Sequence, residues 1–203
     1  MARLQQWIGA GGVLITEGGT AALPVNYGLA RGVNIVDARQ LRVRGSVLRA
    51  VVKDRQSPIA YGYPDTLAVY FDQAPLFRVD SADTRGSERE RDTAVVRETR
   101  RLQPRVVLGF ATRPDSLLLS GLLDGGAELA GRPAVVDVAS GRGHVVLFAI
   151  RPMWRYETQG SFALLFNTLL NWNDLGTGWP SPERPATGAQ TGAATGRRRT
   201  ADR

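Results

Sequence analysis

The chain has no cysteine, one histidine and one lysine among its 203 residues. Without cysteine there is no disulfide framework, no thiolate metal site and no thiol nucleophile. His144 alone excludes a multi-histidine metal centre and leaves a histidine-based triad one candidate. Long apolar runs are also missing. Nothing approaches the roughly 18 uninterrupted apolar residues that a membrane helix needs, so no membrane partner is expected. The segment from Met1 to Ala10 is too short and too polar for a secretory signal. The chain as it stands reads as cytoplasmic, or as extracytoplasmic if it is a piece of a longer secreted protein.

Hydrophobic residues make up 43% of the chain, enough for a packed core, and the length suits one domain with or without a tail. The formal charge of +7 is a weak partner signal. Lys53 is the single lysine among 26 basic residues, a skew that reads as coding bias, since binding patches usually mix Arg and Lys. Residues 176–203 carry five Arg against Glu183 and Asp202, and the dense run Arg197–Arg199 sits among Gly, Thr, Ala and Pro. Such a composition buries too little apolar surface to order itself, so 176–203 is expected as a disordered tail. Nucleic acid has only the net charge and this run behind it and is not the expected partner. The sequence leaves the oligomeric state open.

Leu4, Trp7 and Ile8 mark one apolar face of a short helix, and Gly9, Gly11 and Gly12 stop it. Val13–Thr16 follows as a continuous apolar strand, buried on both faces, so the domain reads as lacking a preceding strand. A Gly-rich turn from Glu17 to Ala21 closes it, leading into a short helix or loop to about Leu29. Further strands are expected over 33–36, 41–52, 67–71, 76–79 and 105–111, with the turn-rich connector Pro58–Pro64 between them. Arg42, Arg44 and Arg49 are expected on the polar face of the 41–52 strand. Residues 80–101 carry six Arg against six acids and read as a solvated insert. Pro133–Val138 and His144–Ile150 form a hairpin about Ala-Ser-Gly-Arg-Gly. Phe162, Leu165, Phe166, Leu169 and Leu170 recur at i, i+3, i+4, i+7 and i+8, the stripe of a final helix that Thr158 or Ser161 can cap and Gly176 follows. Trp172 and Trp179 are expected to cover that helix, and globular structure to end near Leu175. Helices with parallel-type apolar strands at both ends of the chain and a hairpin between predict a three-layer α/β sandwich over residues 1–175.

Several ordered segments carry a family resemblance. The strongest is Gly141-Arg-Gly-His-Val-Val-Leu-Phe-Ala-Ile-Arg-Pro-Met-Trp-Arg155, continuing through Tyr156 to Leu170. Trp7–Ala21, Arg44–Arg49, Pro58–Pro64 and Leu117–Leu123 support it. Together they resemble the C-terminal region of bacterial M14-family zinc carboxypeptidase-like proteins, which is similar to a class I glutamine-amidotransferase domain. The resemblance implies a flavodoxin-like, amidotransferase-type fold. It also implies a peptidase domain, in cis or in trans, as partner, with zinc held only there. The zinc carboxypeptidase site needs His-x-x-Glu, a later His and a downstream Glu. Here His144 is alone, with Leu147 at +3, and the turn that would hold an amidotransferase Cys reads Thr16-Glu17-Gly18-Gly19-Thr20. A non-catalytic accessory domain is therefore expected.

Two regions are candidates for ligand binding. Glu17, Gly18 and Gly19 stand where a strand delivers its carboxyl end, the usual ligand position in open α/β sheets, although a solvated tight turn explains them equally. Arg151, Trp154, Arg155, Tyr156 and Gln159 crowd one loop, where two guanidiniums and an aromatic wall suit a carboxylate or sugar-like ligand, or a protein interface. The alternative to an accessory domain is a ligand-binding or hydrolytic one whose site joins these two regions. His144 is expected as a satisfied structural histidine. Asp137 and Asp65 are expected to pair with arginines.

Overall fold

The computed structural model describes residues 1–80 and 103–179. Apart from Asp80, the charged stretch 80–101 lies outside the described residues, as do 180–203 with Arg197–Arg199.

The elements in chain order are α1 (Ala2–Gly9), β1 (Val13–Glu17), α2 (Ala22–Asn26), β2 (Val33–Val36), β3 (Arg42–Val43), β4 (Ser46–Val52) and β5 (Thr66–Phe71). They continue with β6 (Leu76–Val79), β7 (Arg105–Phe110), β8 (Leu118–Ser120), β9 (Leu123–Asp124), β10 (Pro133–Ser140), β11 (Gly143–Phe148) and α3 (Phe162–Leu170). The main sheet runs β1-β11-β10-β7-β4-β5, with β8 added on β4. β2 pairs with β6, and β3 with β9.

The fold is mixed α/β, and its sheet corrects the parallel expectation. Only β1 and β11 pair in parallel among the described strands. β10 lies antiparallel to β11 and β7, and β4 antiparallel to β7, β5 and β8. Continuous apolar runs do not report strand direction, and β1, expected to be buried on both faces, is an edge strand whose residues Val13–Thr16 are only half-buried. All six residues of β11 are buried, and successive side chains of a strand point to opposite faces, so β11 is covered above and below. Its register with β10 leaves Gly141 and Arg142 as a two-residue hairpin turn. A Cβ on Gly143 would collide with the carbonyls of Gly12 and Ile8; glycine there lets α1 and its exit loop seat directly on the hairpin.

The 41–52 strand is broken at Gly45 (φ +72) into β3 and β4. The break shifts the alternation, so Val43, Ser46, Leu48 and Ala50 go inward and the arginines do not form one stripe. Arg49 is half-buried, with Nε donating to Ser116 O.

α3 departs most from expectation. Its sequence, FALLFNTLL, is apolar almost all round, so a repeat at 3.6 residues does not say which face turns inward. Leu164 and Thr168 are the buried positions, with Ser161 just ahead of them. Phe166, Leu169 and Leu170 stand exposed. Ser161 does not cap the helix; its hydroxyl lies 2.7 Å from the carbonyls of Pro152 and Thr158. The helix ends at Leu170, well before Gly176.

Candidate functional site

Parallel pairing of β1 with β11 brings the loops after the two strands together. Gly18 N–H donates to Ile150 O at 3.3 Å, and Gly18 (φ +51) faces the Arg151 side chain so closely that a Cβ there would stand 3.1 Å from Nε. The Glu17–Gly19 turn and the Arg151 loop therefore converge. Glu17 is exposed; its backbone N–H donates to Thr20 Oγ1 at 3.1 Å, and the same hydroxyl donates to Glu17 O at 2.7 Å.

The Arg151 guanidinium lies 4.4 Å over the Trp154 ring and 3.8 Å from Asp72 Oδ2. Arg155 reaches the same ring at 6.0 Å, and Tyr70 lies parallel to it with centroids 6.3 Å apart. Arg151 Nε is buried without a hydrogen-bond partner. Burial pushes the Tyr70 phenol up, and Asp72 and Glu157 add to the shift against the opposing charges of Arg151 and Arg155. Charges of both signs therefore act on this phenol. Gln159 is exposed, and among the described residues its side chain makes no hydrogen bond to this group.

The loop is held in a costly shape. Arg155, Tyr156 and Thr158 have φ of +47, +66 and +50, a region that costs a non-glycine residue roughly 1–3 kcal/mol. Below it, Tyr63 Oη donates to Gly160 O at 2.6 Å and accepts from Leu164 N–H at 3.0 Å. Above it, Tyr156 stands 78% exposed.

A second cluster joins residues that the sequence reading kept apart. Asp137, fully buried on β10, holds His144 Nδ1 at 2.8 Å. Its partner is therefore the histidine, not an arginine; Asp65 does pair with Arg55. Hairpin register was the missed signal, since positions 137 and 144 fall on one face across a two-residue turn. Beside them Arg105 Nε donates to Asp54 Oδ2 at 2.6 Å, and Nη1 donates to the carbonyls of Leu175 and Thr177. Trp179 packs on both, 5.7 Å from the His144 ring and 5.5 Å from the Arg105 guanidinium. It covers this polar core rather than α3, and residues 176–179 are engaged beyond Leu175. Burial pushes the Asp137 carboxyl up, opposed by the His144 bond and by the charges of His144 and Arg105. Burial also raises Asp54, but the Arg105 bond and charge and the backbone N–H groups of Gln56 and Ser57 outweigh it and hold the carboxyl below its usual range.

The Asp137–His144 pair lies under the segment that follows α3, and among the described residues no hydroxyl is hydrogen-bonded to it. The residues do not fit a carboxypeptidase zinc centre either, because the one histidine already spends Nδ1 on Asp137 and packs on Trp179. Among the described residues no three His, Cys, Asp or Glu side chains gather as metal ligands, and no helix is long and apolar enough to cross a membrane.

No family model matches the chain, and no curated protein matches it. Similar solved structures include a cytoplasmic protein from Salmonella typhimurium, with 14% identity and a TM-score of 0.46 over 83% of this chain and 58% of that one. A ThuA-like protein from Bacteroides uniformis has 12% identity and a TM-score of 0.46 over 85% and 62%. A β-galactosidase from Bacillus circulans has 10% and 0.45 over 86% and 20%. The chain thus spans less than two thirds of the length of each.

Proposed function

We propose that this chain is a non-catalytic accessory domain of three-layer, class I glutamine-amidotransferase-like type, a pseudoenzyme that packs on a peptidase domain of the M14 kind in cis or in trans. Zinc belongs to that partner. The observation that carries the reading is the filled carboxyl end of β1. Where an amidotransferase-like sheet would present its nucleophile, Arg151 lies over Gly18, stacked on Trp154 and facing Asp72. The strained segment 155–158 above it holds Tyr156, Arg155 and Glu157 outward in fixed positions, which suits a protein contact better than an enclosed ligand. Titrating an M14-type peptidase domain with this chain by calorimetry is the test. Saturable binding that Tyr156→Asp together with Arg155→Glu weakens at least tenfold supports the reading; absence of heat at micromolar concentrations contradicts it.

Convergence of Gly18 with the Arg151 loop, and the unpartnered Arg151 Nε, favour one other reading: a ligand-binding or hydrolytic domain taking a carboxylate there. It predicts quenching or enhancement of Trp154 fluorescence by millimolar citrate, lost in Arg151→Ala. The accessory reading predicts no change in either protein.

A further inference from the structure

We propose that β1 and the outer face of α3 form the contact between two copies of this chain, joined antiparallel through β1 about a twofold axis at Leu14. This goes beyond the accessory reading, whose contact surface lies at the opposite, carboxyl end of β1.

Three observations carry it. β1 is an edge: among the described residues only β11 pairs with it. His144 N–H donates to Gly12 O, so with Val13 opposite His144 the alternation of a parallel ladder turns the N–H and C=O of Leu14 and Thr16 toward β11. Those of Val13, Ile15 and Glu17 point out. Thr20 already satisfies both groups of Glu17, which leaves Val13 and Ile15 as open rungs. These two lie symmetrically about Leu14. A twofold axis there sets Val13 against Ile15 of the other copy and Ile15 against its Val13, which completes four hydrogen bonds with no register left over.

Beside the edge lies a groove of about 570 Å³ lined by Trp7, Val13, Ile15, Leu169 and Trp172 among others, none of its lining residues charged. A chain of net charge +7 repels its own copy, so self-contact needs an uncharged face, and this is one. Trp7 and Trp172 are 51% and 57% exposed, and Leu170 78%. With indoles able to bury ~150–250 Å² each, the apolar face reaches several hundred Å², on the order of the largest that monomers leave open. The helix that carries part of it is apolar on both sides, the sequence signature of an element buried on both sides.

Sedimentation velocity of the full chain at about 1–100 μM tests the proposal. A dimer is expected, shifted to monomer by Leu169→Glu with Trp172→Glu, exposed positions where far-UV circular dichroism and the unfolding midpoint report retained folding. Because the chain has no cysteine, Leu14→Cys should link two copies on oxidation, facing Cα atoms of a non-hydrogen-bonded pair being ~4.5 Å apart. Glu17→Cys, exposed and off the axis, should not. A monomer throughout, a dimer indifferent to the charged pair, or a dimer that the Glu17→Cys variant links and the Leu14→Cys variant does not, overturns the proposal.

Discussion

Arg105 gives the sharpest residue-scale test, because one buried guanidinium ties together β7, Asp54 and the segment after α3 at Leu175 and Thr177. Asp54→Asn leaves that charge buried without its counter-ion and should cost about 3 kcal/mol of stability, read from urea unfolding. Arg105→Lys should not restore it, since an ammonium has no planar fork to reach a carboxylate and two carbonyls at once. The pH dependence has a definite sign. Asp54 is held below 3.8 in the folded chain, so its contribution is complete above that value and drains away as pH falls through the lowered native one. The gap between parent and variant should be constant from about pH 5 to 8 and close in acid. Equal losses in acid and at neutrality would contradict the clasp.

At the scale of elements, Gly18 and α3 make separable predictions. Gly18→Ala adds a left-handed strain of ~1–2 kcal/mol to crowding against Arg151. Arg151→Ala removes the crowding alone, so the double variant should keep a destabilisation of that size in equilibrium unfolding. In α3, at concentrations where the chain is monomeric, Leu164→Ala should cost about 2–5 kcal/mol and Leu170→Ala within about 0.5, since only the first opens a cavity. Comparable losses at both would contradict the inward face assigned here. These elements also mark how far the sequence was legible. Strand positions were, because β-branched runs bounded by Gly and Pro are local signals; 33–36, 76–79 and the hairpin lie where the runs put them. Strand direction and the inward face of α3 were not, because both depend on what packs above, and an all-apolar helix has no local asymmetry to read. The convergence of Gly18 with Arg151, over a hundred residues apart, follows from the parallel β1–β11 pair and not from either motif. Glu128 is similar: it accepts from the backbone N–H groups of Arg39, Gln40 and Leu41, which hold its carboxyl below the usual range, and no spacing announces that partnership.

At the scale of the whole molecule, the missing residue types weigh more than the +7 charge. The chain has no thiol, its one histidine is bonded to Asp137, and Arg151 lies over the β1 turn. Two surfaces stand apart, the strained loop at the carboxyl end of β1 and the uncharged groove beside its open edge, and each has its own proposed partner and its own test. The central claim of the accessory reading is that the chain supplies no peptidase chemistry itself. Release of the C-terminal residue from a short peptide, followed for the purified chain with and without zinc, tests it most directly. The account predicts no release above the zinc blank; turnover that needs zinc and stops with a chelator would contradict it.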